Sequence, residues 1–230
     1  MAASSVPFVI LFAGTLFGIT YLYGKWRTLR RAEFIRTFRW PRGLLERLEK
    51  HHPGFQRKDS ALVSRGLRQF FLAYLMSGKR YVSMPSQVAD DLWHEFILYT
   101  REYDAFCRRA FGGFLHHTPA VVLSEHRKSN EGLRRVWWYC CKYENIDPVR
   151  PTRLPLLFAL DSKLNIANGF VYHPDCEELR KNGSGAAHCG GDFADGSIDG
   201  GTDGFGDAGS ASGDGGGGGD GGGGCGGGGD

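Results

Sequence analysis

Residues 6–42 read VPFVILFAGTLFGITYLYGKWRTLRRAEFIRTFRWPR, and this stretch decides the architecture. Val6 to Tyr23 carries no charged side chain. As a helix rising 1.5 Å per residue it would extend about 27 Å, close to the ~30 Å hydrocarbon core of a bilayer. Tyr21, Tyr23 and Trp26 stand at its end, where aromatic rings favour the membrane interface. Lys25, Arg27, Arg30, Arg31, Arg36, Arg39 and Arg42 follow, against Glu33 alone on the acidic side. The positive-inside rule puts that flank in the cytoplasm and the short N-terminus outside. A cleaved signal peptide would want a basic start and a small-residue cleavage site. MAASSVP has no basic side chain, and ITYLYGKW has no A-x-A pattern.

The expectation is a single-pass protein of a plasma or inner membrane. Residues 1–5 lie outside, 6–24 cross the bilayer, and 25–40 form a basic juxtamembrane segment in which Lys25, Arg27, Arg30 and Arg31 flank the membrane. The basic flank sets topology, and it can also attract anionic lipid.

The far end of the chain has the opposite character. From Gly183 onward 24 of 48 residues are glycine, eight are aspartate, and none is Lys or Arg. The net charge of +3 therefore divides into −8 for this tail and +11 for the rest. Such a segment cannot bury enough apolar surface to offset the entropy of ordering it, so residues 182–230 are expected to be flexible coil. Its glycine runs follow no strand and lack Gly-Lys-Ser/Thr, which excludes a phosphate loop and a nucleotide partner. No recognition motif accompanies the basic charge, so nucleic acid is not expected. The six cysteines, Cys107, Cys140, Cys141, Cys176, Cys189 and Cys225, match no disulfide framework and no C-x-x-C pair.

Between these ends, residues 41–181 are long enough for one core and read as helical. Pro41 opens a helix that ends near His51 and His52, whose imidazoles suit the last turn. Ser60 can cap a second helix that Gly78 ends. Ser86 caps a third, in which Val88, Leu92, Phe96, Tyr99, Tyr103, Phe106 and Ala110 form one stripe that Gly112 and Gly113 terminate. Ser129 or Asn130 caps a fourth, through Trp137 to Asn145. LPLLFAL and GFVYHP are short apolar pieces expected as strands or extended cover. The fold class is all-α: one transmembrane helix, a helical bundle with irregular C-terminal cover, and a disordered Gly-rich tail.

One cluster could carry chemistry. In DDLWHEFILYTREYDAFCRRAFGGFLHH, residues 90–117, Asp90 and Asp91 precede His94 by one helical turn. Past the glycine break, His116 and His117 can fold back so that one faces His94, with Tyr103 and Cys107 as further neighbours. Two or three imidazoles with a carboxylate behind them would suit zinc or another divalent transition metal. The candidate ligands are His94, His116 and His117, with Asp90 and Asp91 behind them. H-E-x-x-H is excluded, because Leu98 stands where its second histidine would be. A buried His–Asp bond that fixes helix packing, with His116 and His117 half-exposed in a loop, and metal-free acid–base catalysis by a histidine are the alternatives. His173-x-x-Cys176 with His188-Cys189 is a weaker zinc pattern, because adjacent His and Cys rarely enter one tetrahedron.

The run Asp91-x-Trp93-His94, then Tyr103, Phe106-Cys107, Phe111-Gly112 and a histidine after Phe114-Leu115, resembles the glycine-rich domain-containing protein-like family over residues 32–120. That family includes plant and bacterial proteins, some with membrane anchors and Gly/Cys-rich ends. His94 and His117 match its pattern, whereas Phe96 and His116 stand where it places a second histidine and an acid. The resemblance implies no settled activity. Three functional readings follow: a membrane-anchored binding or scaffolding module with a protein partner, a metal-dependent enzyme centred on the histidines, and attachment to anionic lipid through the basic segment.

Overall fold

A helix that buries residues on consecutive positions leaves no face for water and must sit in the middle of a bundle. The segment around Phe70 has this property: Gln69, Phe70, Phe71, Leu72 and Ala73 are all buried. The chain is described by a computed structural model covering residues 6–117, 126–167, 169–174 and 188–189. Its helices are α1 (Val6–Thr37), α2 (Leu44–His51), α3 (Arg57–Met76), α4 (Gln87–Leu98), α5 (Thr100–Phe111), α6 (His126–Tyr143) and α7 (Leu156–Lys163). α3 is the central one and packs against α1, α2, α4, α6 and α7. Gly66 lets α7 approach: a Cβ there would collide with the Leu160 side chain. Two-residue strands β1 (Tyr172–His173) and β2 (His188–Cys189) pair in parallel. The fold is all-α, as the periodicity implies.

α1 does not stop at the expected membrane boundary. It runs unbroken through the basic segment, and Ala32 and Ile35 near its end are part of the core. Phe34 and Phe38 continue that contact against Phe106, at ring separations of 5.8 and 4.7 Å. Its first half touches nothing: Ile10, Phe12, Phe17, Ile19 and Leu22 are all exposed. Length and composition let this helix serve as a membrane span or a signal sequence.

Four expected elements change. The stripe from Val88 to Ala110 is two helices, broken at Tyr99, whose ψ of 61° leaves the helical region. A straight helix over that span would run roughly 33 Å. The break folds it back so that Phe96 meets Tyr103 and Phe106 at 5.2 and 5.4 Å. The second expected helix starts at Arg57, earlier than Ser60, because Gln56 and Asp59 form a capping box there, and Ser60 instead donates to Glu49. LPLLFAL, expected as strand or extended chain, supplies the first five residues of α7, while GFVYHP supplies only β1. α6 begins at His126, ahead of the expected caps at Ser129 and Asn130. Apart from His188 and Cys189, the tail expected as coil lies outside the described residues.

Two carboxylates, Glu144 half-buried and Asp161 buried, explain why α7 forms and what it holds. At its N-terminus Leu156 N–H donates to Glu144 Oε1 (2.6 Å) and Leu157 N–H donates to Gln69 Oε1 (3.1 Å). Glu144 also accepts from Gln69 Nε2 and Arg153. Burial works against its ionisation, but the bonds from Leu156, Arg153 and Gln69 outweigh it and hold its carboxyl below the usual range. Further along α7, Asp161 is 3% exposed and reaches the N-terminus of α4. It accepts from Ser86 Oγ (2.7 Å), Gln87 N–H (2.7 Å), Val88 N–H (3.2 Å) and Phe170 N–H (2.9 Å). Ser86 Oγ takes the next N–H, that of Ala89 (3.2 Å), so the first turn of α4 has its donors satisfied.

Two outcomes are expected for the full chain in micelles. Asp161→Ala leaves several buried donors without an acceptor and should cost about 3 kcal/mol or more by denaturant unfolding, with faster amide exchange at Gln87 and Val88. A Glu144 carboxyl held low contributes stability that is complete above the ordinary carboxyl range and lost as pH falls below it. Glu144→Gln should therefore lower stability at neutral pH and flatten its decline on the acid side.

Candidate metal centre

α4 carries a buried face and a wet one. Trp93 and Phe96 point into the core, so Asp90 and His94, one turn apart, share the outer face. The His94 Nδ1 to Asp90 Oδ2 distance is 3.7 Å. α5 then ends at Gly112, whose φ of 79° is the left-handed conformation that glycine adopts without strain. The following loop is strapped back by one buried hydroxyl. Tyr103 accepts from Trp93 Nε1 (3.0 Å) and donates to the Leu115 carbonyl (2.6 Å), and Phe114 packs edge-on against its ring at 5.3 Å. Burial, with Cys107 beside it, pushes the Tyr103 phenol well above its ordinary range, which keeps it a donor.

This strap delivers His117. Its Nε2 lies 2.9 Å from Asp90 Oδ1, its ring is 4.3 Å from that of His94, and it stands edge-on to Trp93 at 4.6 Å. Asp90, His94 and His117 each present one donor atom within 4.8 Å of the others. The cluster is graded in exposure: the His117 side chain is 14% exposed, Asp90 22% and His94 52%. It therefore has a protein-lined side and an open side.

The structure brings together two of the three expected histidines and promotes one of the two expected supporting carboxylates into the cluster. His116 points outward, its ring tilted against that of Phe114 at 4.8 Å, because successive residues of an extended loop face opposite ways. Asp91 does not back His94. It takes a 3.0 Å contact with His52 Nε2 and accepts from Gln87 Nε2 (3.2 Å). With Glu95, which pairs Arg47 at 3.0 Å and meets His51 at 3.6 Å, Asp91 fastens α2 to α4. His51 and His52, expected at a solvated helix end, serve that contact. The i, i+4 spacing of Asp90 and His94 was readable. The pairing of Asp91 with His52 had no sequence signal, because 39 residues separate them.

Tyr103 and Cys107 stand behind the loop, away from the open side. Burial raises the Cys107 thiol, and it raises Cys140 well above the ordinary range and Cys141 to about 12. All three are buried packing residues. Lys25 lies over the Tyr21 ring and Arg30 over Trp26. Arg27, Arg30 and Arg31 line a cleft with Arg109. Cys176 falls outside the described residues, as do the side chains of His188 and Cys189.

The molecule is thus an all-α bundle with a long apolar helix at its N-terminus and a histidine–carboxylate cluster on its surface. The chain belongs to the UCP032817-like family, whose model matches residues 30–193. The match takes in the bundle and the cluster and leaves out the apolar half of α1. No curated protein and no solved structure matches the chain.

Tyr103→Phe strands the Trp93 N–H and the Leu115 carbonyl and should cost roughly 1–3 kcal/mol in unfolding experiments. Cys107, Cys140 and Cys141 should resist alkylation in the native chain and react after denaturation, as read by peptide mass mapping.

Proposed function

We propose that the chain is a membrane-tethered metal-binding module: α1 crosses the bilayer once, and the bundle binds one divalent transition ion, zinc in the first instance, through Asp90, His94 and His117. The observation that carries this reading is the convergence of two imidazoles and one carboxylate from two separate segments. Around a tetrahedral ion with bonds near 2.0–2.1 Å, neighbouring ligand atoms stand about 3.3 Å apart. Asp90 Oδ1 lies 2.9 Å from His117 and Asp90 Oδ2 lies 3.7 Å from His94, and one ligand atom of each residue falls within 4.8 Å of the others, so small side-chain shifts would bring all three to that spacing. Two nitrogen donors favour a borderline ion over magnesium or calcium. Three protein ligands with one side open leave a position for water or an incoming group, the arrangement of reactive rather than purely structural zinc sites.

A span is favoured over a cleaved signal because α1 continues without a break into the core at Ala32 and Ile35. The basic flank after Tyr23 favours a cytoplasmic bundle and an N-terminus outside a plasma or inner membrane.

Purified full-length chain, dialysed and analysed for metals, should hold close to one equivalent of zinc or iron. Asp90→Ala, His94→Ala and His117→Ala should each weaken binding by more than the roughly 10–100-fold that loss of an outer partner costs. His116→Ala and His52→Ala should keep it. A folded, metal-free chain that takes up no added zinc would overturn the proposal, as would equal loss in His116→Ala.

A further inference from the structure

Beyond the metal centre, the cleft between α1 and α5 has a composition that the helical bundle does not need. Arg27, Arg30 and Arg31 lie at i, i+3 and i+4 and so share one face of α1. Arg109, from the last turn of α5, closes the cleft from the other side. It encloses about 350 Å³, and Trp26 and Phe34 form its apolar walls. Glu33 is its one acidic residue, and it lies 3.7 Å from Arg36. Among the described residues, none of the four cleft arginines forms an ion pair.

Their side chains are nevertheless placed. The Arg30 guanidinium lies 5.1 Å from the Trp26 ring centre, and that of Arg109 lies 4.4 Å from Phe34. The Arg31 guanidinium fills the space where a Cβ of Gly112 would stand, and burial and the charge of Arg27 both disfavour its cation. A guanidinium held over an aromatic ring, with no carboxylate paired to it, retains N–H donors for the paired oxygens of a phosphate. Four arginines against one carboxylate, which itself lies beside Arg36, leave the cleft with a net positive charge that favours an anion.

The depth of the cleft selects which one. Arg27 to Arg31 lie roughly 6–12 Å beyond Tyr23 along the helix. That is at or just beyond the polar layer, which adds about 5–8 Å on each side of the hydrocarbon core. We propose that the Arg27–Arg30–Arg31–Arg109 cleft is a binding site for the phosphate of one anionic phospholipid of the adjoining leaflet. The site rests on the reading of α1 as a membrane span. It differs from diffuse attraction, in which each basic residue near an anionic surface adds about fivefold whatever its position.

The test uses the full-length chain. Extraction of chain-loaded vesicles at alkaline pH establishes whether α1 is integral. Native mass spectrometry from micelles then counts bound phosphatidylglycerol against phosphatidylcholine. The expected result is one saturable phosphatidylglycerol, preferred by at least about tenfold, a preference that Arg109→Gln and Arg30→Gln abolish. Arg39→Gln and Arg42→Gln, which remove the same charge outside the cleft, should preserve it. Release of the chain by alkali would overturn both the span and this site. An integral chain with no lipid preference, or with Arg39→Gln as damaging as Arg109→Gln, would overturn the site and leave the span standing. Displacement of the lipid by millimolar inorganic phosphate would overturn the lipid as its occupant.

Discussion

The structure depends most on a carboxylate that touches no ligand. Asp161 sits in the bundle and accepts from the first two N–H groups of α4, from the Ser86 hydroxyl and from Phe170. A buried charge is tolerable only when it is fully bonded, and a helix N-terminus offers both donors and a favourable dipole. The same device recurs one helix earlier, where Glu144 receives the N-terminus of α7. The two carboxylates therefore act in series: the end of α6 seats α7, and α7 seats α4. α4 in turn carries Asp90, Trp93 and His94. The outer cluster inherits its precision from bonds on the opposite side of the core.

That order explains which parts were legible in the sequence. The helical class was, because Val88, Leu92, Phe96, Tyr103, Phe106 and Ala110 repeat at helical steps and all are buried. The break at Tyr99 was not, because Tyr99 fits the stripe by type and only its backbone leaves the helix. The cap at Ser86 was legible, since a hydroxyl before an apolar run is a local signal. Its reinforcement by Asp161 was hidden, because the partners are separated by 75 residues and LPLLFAL has the composition of a strand as much as of a helix.

The histidine cluster divides along the same line. Asp90 and His94 are neighbours through helical geometry alone. Of the His116–His117 pair, only one can face inward, and which one depends on the strap from Tyr103 to the Leu115 carbonyl. An alternation of side chains two residues beyond Leu115 puts His117 inward and His116 outward. Asp91 is the same type of residue as Asp90, one position on, yet the rotation of about 100° per helical residue turns it toward α2 and His52. Neighbouring identical residues thus acquire different roles from direction, which composition cannot encode.

The loop from Gly112 to His117 is positioned at two points by elements of different origin. At its start, the Arg31 guanidinium of α1 fills the space where a Cβ of Gly112 would stand, and in its middle Leu115 is tied to Tyr103 of α5. α1 is a single unbroken helix from its apolar half to that contact, so little slack separates the two. The position of α1 in the bundle therefore sets where Arg31 meets the start of the segment that delivers His117 to Asp90. The end of α1 forms one wall of the support for the cluster, because Ala32 and Ile35 are buried in the core and the Arg31 guanidinium lies beside Gly112.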